Sequence, residues 1–189
     1  MQRRSPTARG LFIAGFAMAL LSSFGCGGDT GGPIPPALLC SDGGTAGANT
    51  VVMSCGGLID ATTERVDIVI GGPGAGTSSL RGLVFDVIYD PAKLEFVPAA
   101  SLASPLFPDG LVAVELANGQ EGEIVVAILQ VGTLPDVPVE PGEHTVISFS
   151  FRRVGVDTFD PTPLTFVRAQ AMVATPAITF ASGLALAYQ

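Results

Sequence analysis

The chain has 189 residues with 17 acidic and nine basic side chains, and three of the basic ones, Arg3, Arg4 and Arg9, precede position 26. From Cys26 onward six basic residues face 17 acidic ones, a charge of −11, which speaks against nucleic acid and anionic lipid as partners. With 24 Gly, 15 Pro and many short runs of Val, Ile, Thr and Phe, the composition favours short strands joined by tight turns, in one domain large enough to bury a core.

Residues 1–25 have the parts of a secretory signal peptide: arginines, then the apolar run Leu11 to Leu21, then small residues. This run, about 11 to 14 residues, falls short of the roughly 20 needed to cross a bilayer as a helix. The signal ends in Ser22, Ser23, Phe24, Gly25, Cys26, which resembles a bacterial lipobox and marks Cys26 for lipidation. An ordinary signal peptide cut nearby, leaving Cys26 as an odd thiol, is the other reading. With lipidation the protein is expected to be exported and anchored to the cell envelope by acyl chains, at the outer membrane or cell surface.

Residues 26–49 are rich in Gly and Pro and cannot bury a core of their own, so they read as a tether. If Cys26 is acylated, Cys40 and Cys55 remain as an even pair in an oxidising compartment, and a disulfide between them would pin the tether to the first strand. Two free thiols or a metal pair are the alternatives, although the Cys/His clustering of a zinc site is missing from the sequence.

From residue 50 the strand signals follow one another. Val51 to Cys55 and Arg65 to Ile70 form an expected pair across Asp60 to Glu64, and Gly71 to Ser79 is a glycine-rich loop. The densest signal is Leu80 to Val97. Leu83, Phe85, Val87 and Tyr89 fall at spacing two and share one face, while Val84, Asp86 and Ile88 share the other. Asp90 and Pro91 end this strand, and Leu94 to Val97 starts another. Ser101 to Gly110 reads as a loop. Leu111 to Leu116 and Glu123 to Gln130 then flank the hairpin signal Asn118, Gly119. After a proline-rich loop, Thr145, Ile147, Phe149 and Phe151 alternate with polar neighbours and Val146, which predicts one buried and one solvated face. Leu164 to Val173 and Ile178 to Ala187 complete an all-β sandwich. A lipid-facing barrel is disfavoured, since the chain has no Trp and only Tyr89 and Tyr188 for an aromatic girdle.

The order Gly82, Phe85, Val87, Tyr89, Asp90, Pro91, Leu94 resembles the cohesin family, in which an alternating apolar strand ends in Tyr-Asp-Pro with a Leu a few residues on. Arg65 to Ile70 is similar to that family's second strand, Thr145 to Phe151 to its penultimate apolar strand, and Phe180 to Ala187 to its closing segment. The resemblance covers residues 50–189. It implies a nine-stranded jelly-roll β-sandwich that binds a dockerin module through one sheet face, without catalysis. Val84 stands where the family commonly has a polar residue on the contacting strand.

Catalytic constellations are sparse. His144 is the single histidine, no Gly-x-Ser-x-Gly elbow is present, and the acidic pairs Asp86 with Asp90 and Glu121 with Glu123 are close only in sequence. Glu121 and Glu123 read as residues that solvate a hairpin, and Asp90 as a turn cap. Asp157 with Asp160 is the nearest approach to a calcium cluster, without an Asp-x-Asp-x-Asp-Gly loop. No metal or cofactor is therefore expected, and the chain is not expected to be an enzyme. The expected function is non-catalytic protein binding through Val84, Asp86 and Ile88, with a dockerin-like partner, on a face that a loop or the tether could also cover. A carbohydrate-binding β-sandwich with a glycan ligand is the alternative, which the lack of Trp weakens.

Overall fold

The computed structural model describes residues 36–98, 103–172 and 176–189. The signal segment, Cys26 and the first part of the tether lie outside the described residues. Among the described residues the chain is almost entirely strand: β1 (Leu38–Ser41), β2 (Thr50–Asp60), β3 (Thr63–Gly71), β4 (Ser78–Leu80), β5 (Gly82–Ile88), β6 (Leu94–Val97) and β7 (Leu111–Leu116). After one 3-10 turn at Ala117–Gly119 follow β8 (Glu123–Leu129), β9 (Val137–Val139), β10 (Glu143–Arg153), β11 (Phe159–Pro163), β12 (Thr165–Met172), β13 (Thr179–Ala181) and β14 (Ala185–Tyr188). These pieces outnumber the nine strands that the resemblance implies, partly because β4, β9 and β13 are three-residue segments.

Two sheets form the sandwich, with strand orders β13-β2-β3-β10-β6 and β12-β5-β8-β7, and smaller pairings β1-β14-β11 and β4-β9 close its ends and sides. Alternation places the inner residues. Leu83, Phe85 and Val87 of β5 and Ile124, Val126 and Ile128 of β8 meet Val66, Ile68 and Ile70 of β3 and Phe149 and Phe151 of β10 in one core, all essentially inaccessible to solvent. Aromatic contacts bind the two layers together: Phe85 meets Phe180 of the opposite sheet at 6.0 Å, and Tyr89 meets Phe151 at 5.1 Å.

Two expectations are corrected. The tether does not run unbroken to position 49, because Leu38–Ser41 is β1, paired antiparallel with β14 from Leu38↔Tyr188 to Ser41↔Ala185, with Leu38 in the core. Four residues alone carry too little signal to be read as a strand, and the partner that completes them is at the other end of the chain. In β10 the register shifts between Thr145 and Ile147, so Val146 and Ile147 are both buried. A β-bulge breaks period-two alternation locally, and Val146 therefore leaves the solvated face to which strict alternation assigns it.

The hairpin expected at Asn118 and Gly119 is present as β7–β8, with both residues at positive φ, 54° and 69°. Asn and Gly tolerate this left-handed geometry better than other residues, which is why their pairing marks a tight hairpin. Among the described residues no helix is long and apolar enough to cross a membrane.

Candidate functional site

The outer face of the sheet β12-β5-β8-β7 is the candidate site. Pairing across the sheet sets its composition: Val84 lies opposite Ala127 and Gln170, Asp86 opposite Val125 and Val167, and Ile88 opposite Glu123 and Thr165. On β7, Leu111 and Ala113 lie opposite Leu129 and Ala127. The result is a mostly aliphatic surface, exposed at Ile88, Leu111 and Met172 and half-buried at Val84. A soluble sheet ordinarily turns polar side chains to water, so an aliphatic outer face marks a surface suited to contact. Among the described residues, no loop or strand covers it enough to bury these side chains.

The three residues anticipated from sequence share this face, but not in equal states. Asp86 is only 4% exposed, because Arg168 lies over it. The Arg168 guanidinium donates through Nε to Asp86 Oδ2 and through Nη2 to Glu123 Oε1, bridging three strands. Its position comes from a bulge in β12, where the register passes from Val167↔Asp86 to Gln170↔Val84 and two residues oppose Phe85. Arg168 takes the left-handed backbone there, with φ 48°, an uncommon geometry for a residue with a Cβ. Sequence reading missed Arg168, since nothing in Leu164 to Val173 signals a bulge.

The acidic pairs are separated by the fold into different tasks. Asp90 accepts from the Ala92 amide at 3.0 Å and caps the turn, as expected. Glu121 and Glu123 do more than solvate a hairpin: Glu121 accepts from the Tyr89 hydroxyl, and Glu123 from Arg168. Burial, and then the bond to Glu121, push the Tyr89 hydroxyl up to about 12. Asp86 and Glu123 share the Arg168 guanidinium, while Asp90 and Glu121 have separate partners.

His144 borders a shallow groove of about 460 Å³ on the opposite sheet, with Arg65, Asp67 and Ser148. Ser148 Oγ donates to Asp67 Oδ1 at 2.6 Å, while His144 Nε2 contacts the Glu140 carbonyl at 2.8 Å, so serine and imidazole engage different partners. Among the described residues, no three His, Cys, Asp or Glu side chains gather as a metal site. Asp157 lies in the loop after β10 and Asp160 on β11, both exposed.

Cys40 of β1 and Cys55 of β2 form a disulfide with their Cα atoms 5.8 Å apart. Asp42 sits beside this bridge, accepting from the Cys55 amide and Ser54 Oγ at 3.0 Å, and the amide bond holds its carboxyl below the usual carboxylate value. The bridge lies on the side of the sandwich, apart from the aliphatic face.

No protein-family model matches the chain, and no curated protein matches it. Solved structures do. The sixth cohesin of scaffoldin B from Acetivibrio cellulolyticus, solved in complex with a mutant dockerin, is 13% identical with a TM-score of 0.52, covering 71% of this chain and 95% of that one. The OlpC cohesin of Clostridium thermocellum, in a type I cohesin–dockerin complex, is 11% identical at a TM-score of 0.51, with 76% and 96% covered. A type II cohesin domain from the Acetivibrio cellulolyticus cellulosome is 12% identical at 0.50, with 72% and 93% covered. A shared backbone path at such low identity is a statement about fold, and the chain is accordingly a β-sandwich with a cohesin-like fold.

Proposed function

We propose that this chain is a non-catalytic protein-binding module that takes its partner on the outer face of the β12-β5-β8-β7 sheet. The observation that carries the reading is the uncovered aliphatic surface of Val84, Ile88, Leu111 and Met172 around the Arg168–Asp86 pair. Such a surface combines an apolar centre with one ion pair whose carboxylate is buried and whose guanidinium is open to a partner, the makeup of a protein interface. The dockerin complexes of the similar folds favour a dockerin-like partner. The module is displayed, in this reading, on an exported lipoprotein held at the cell envelope through acylated Cys26.

The test is capture from the source organism's lysate and secreted fraction with the full chain as bait, beside a Val84→Arg, Ile88→Arg double variant of unchanged unfolding midpoint. A protein held by the native chain and lost by the variant supports the reading, and its sequence states whether it is dockerin-like. Capture of the same proteins by both baits would overturn it. A glycan array with the same two proteins measures the carbohydrate alternative, for which binding unaffected by the double variant is the signature.

A further inference from the structure

One end of the sandwich is unexpectedly greasy. The tip of the β2–β3 hairpin exposes Leu58 at 52% and Ile59 at 60%, and the loop after β10 exposes Val154 at 40% and Val156 at 81%. Turns and loops ordinarily carry polar residues, because their side chains have no packed layer to enter. Backbone hydrogen bonds bring these segments together: Arg153 N donates to Thr62 O at 2.9 Å, tying the loop to the hairpin turn. Leu38 N donates to Ala61 O of the same turn at 3.0 Å. The first strand therefore starts at this end, and Ala37 lies beside the aliphatic tip.

Nine residues, hence ten Cα-to-Cα steps, separate Cys26 from Pro36. At the maximal reach of an extended chain these steps span about 35 Å, and because β1 starts beside the tip this is the end of the sandwich nearest along the chain to an acylated Cys26. We infer that Leu58, Ile59, Val154 and Val156 form a lipid-contacting tip that rests in the headgroup layer of the membrane holding the anchor. The inference rests on the anchoring reading above and adds an orientation to it. Contact is apolar, since acidic Asp60 and Asp157 and basic Lys93 and Arg153 all flank the tip without a basic excess, and the chain from Cys26 onward carries −11. Zwitterionic lipid fits this charge, and anionic lipid does not. Shallow aliphatic insertion adds to an acyl anchor by burying further apolar area at the interface. The sheet that carries the aliphatic face then stands with its strands pointing away from the membrane, open to partners from the side.

The chain has no Trp, so a single introduced indole reports its own surroundings. Ile59→Trp places it at the tip. Leu134→Trp places it at the opposite end, in a loop held by Arg81 through the Gly132 carbonyl at 2.7 Å and Asp136 at 3.0 Å. Both full-length proteins are produced in a lipoprotein-processing host, purified, and incorporated through their anchors into phosphatidylcholine vesicles brominated near the headgroup end of the acyl chains. The mass of the Cys26 peptide is read alongside. The expected result is acylated Cys26, with blue-shifted and several-fold quenched emission at position 59 and neither change at position 134. Acylated protein with equal emission at both positions would overturn the tip while leaving the anchor standing. Unmodified Cys26 would remove the anchor, and the tip with it.

Discussion

Arg168→Met tests the ion pair at the centre of the proposed binding face. The variant keeps most of the aliphatic reach and removes the guanidinium, leaving Asp86, at 4% exposure, without the donor that bonds it. A hydrogen bond to a charged group contributes about 1.5–3 kcal/mol, and stripping one partner from a fully buried pair costs about 3–5 kcal/mol. Arg168 itself is 67% exposed, which lets water reach the carboxylate once the guanidinium is gone and draws the cost toward surface-pair values. The expected loss is therefore about 2 kcal/mol in urea unfolding, read as a lower midpoint at unchanged slope. Asp86→Val should recover most of it in the double variant, because Val suits a strand between Val84 and Ile88 and leaves no buried charge. A single variant within about 0.5 kcal/mol of the native protein, or a double variant no more stable than the single, would refute the reasoning.

Other outcomes follow from the same structure. Reducing the Cys40–Cys55 bridge, 15 residues apart in sequence, should cost about 3 kcal/mol in the chain-entropy model and raise amide exchange at Leu38–Ser41 first; equal urea midpoints with and without reductant would count against this. Phe85→Ala removes a fully buried ring packed edge-on to Phe166 and should lose about 3–5 kcal/mol, against which a loss below about 1 kcal/mol would weigh. Burial raises the Glu64 carboxyl above its ordinary 4.5, partly opposed by the Gly57 amide that donates to it at 3.0 Å. The folded state then holds this proton more tightly than the unfolded one, so Glu64 withdraws stability as pH rises from about 4.5 through the raised value. Glu64→Gln should flatten that part of the stability–pH curve, and an unchanged slope would assign it to other groups.

Much of this protein is determined by local sequence. Period-two alternation in Leu83 to Tyr89 settles which side chains enter the core and which form the outer face, because successive Cβ atoms of a strand point to opposite sides whatever the partner. Asn118 and Gly119 define their hairpin through the left-handed geometry they tolerate. The even pair Cys40 and Cys55 indicates its own bridge once Cys26 is set aside. Tertiary structure decided the rest. Leu38–Ser41 becomes a strand only because residues 150 positions away complete its ladder, as Leu38↔Tyr188 illustrates. Arg168 reaches Asp86 and Glu123 only because β12 bulges against β5, and a bulge is a property of a pair of strands that neither strand states alone. Side-chain direction along a strand is a local quantity, whereas pairing, register and the face left open are set by which distant segments meet.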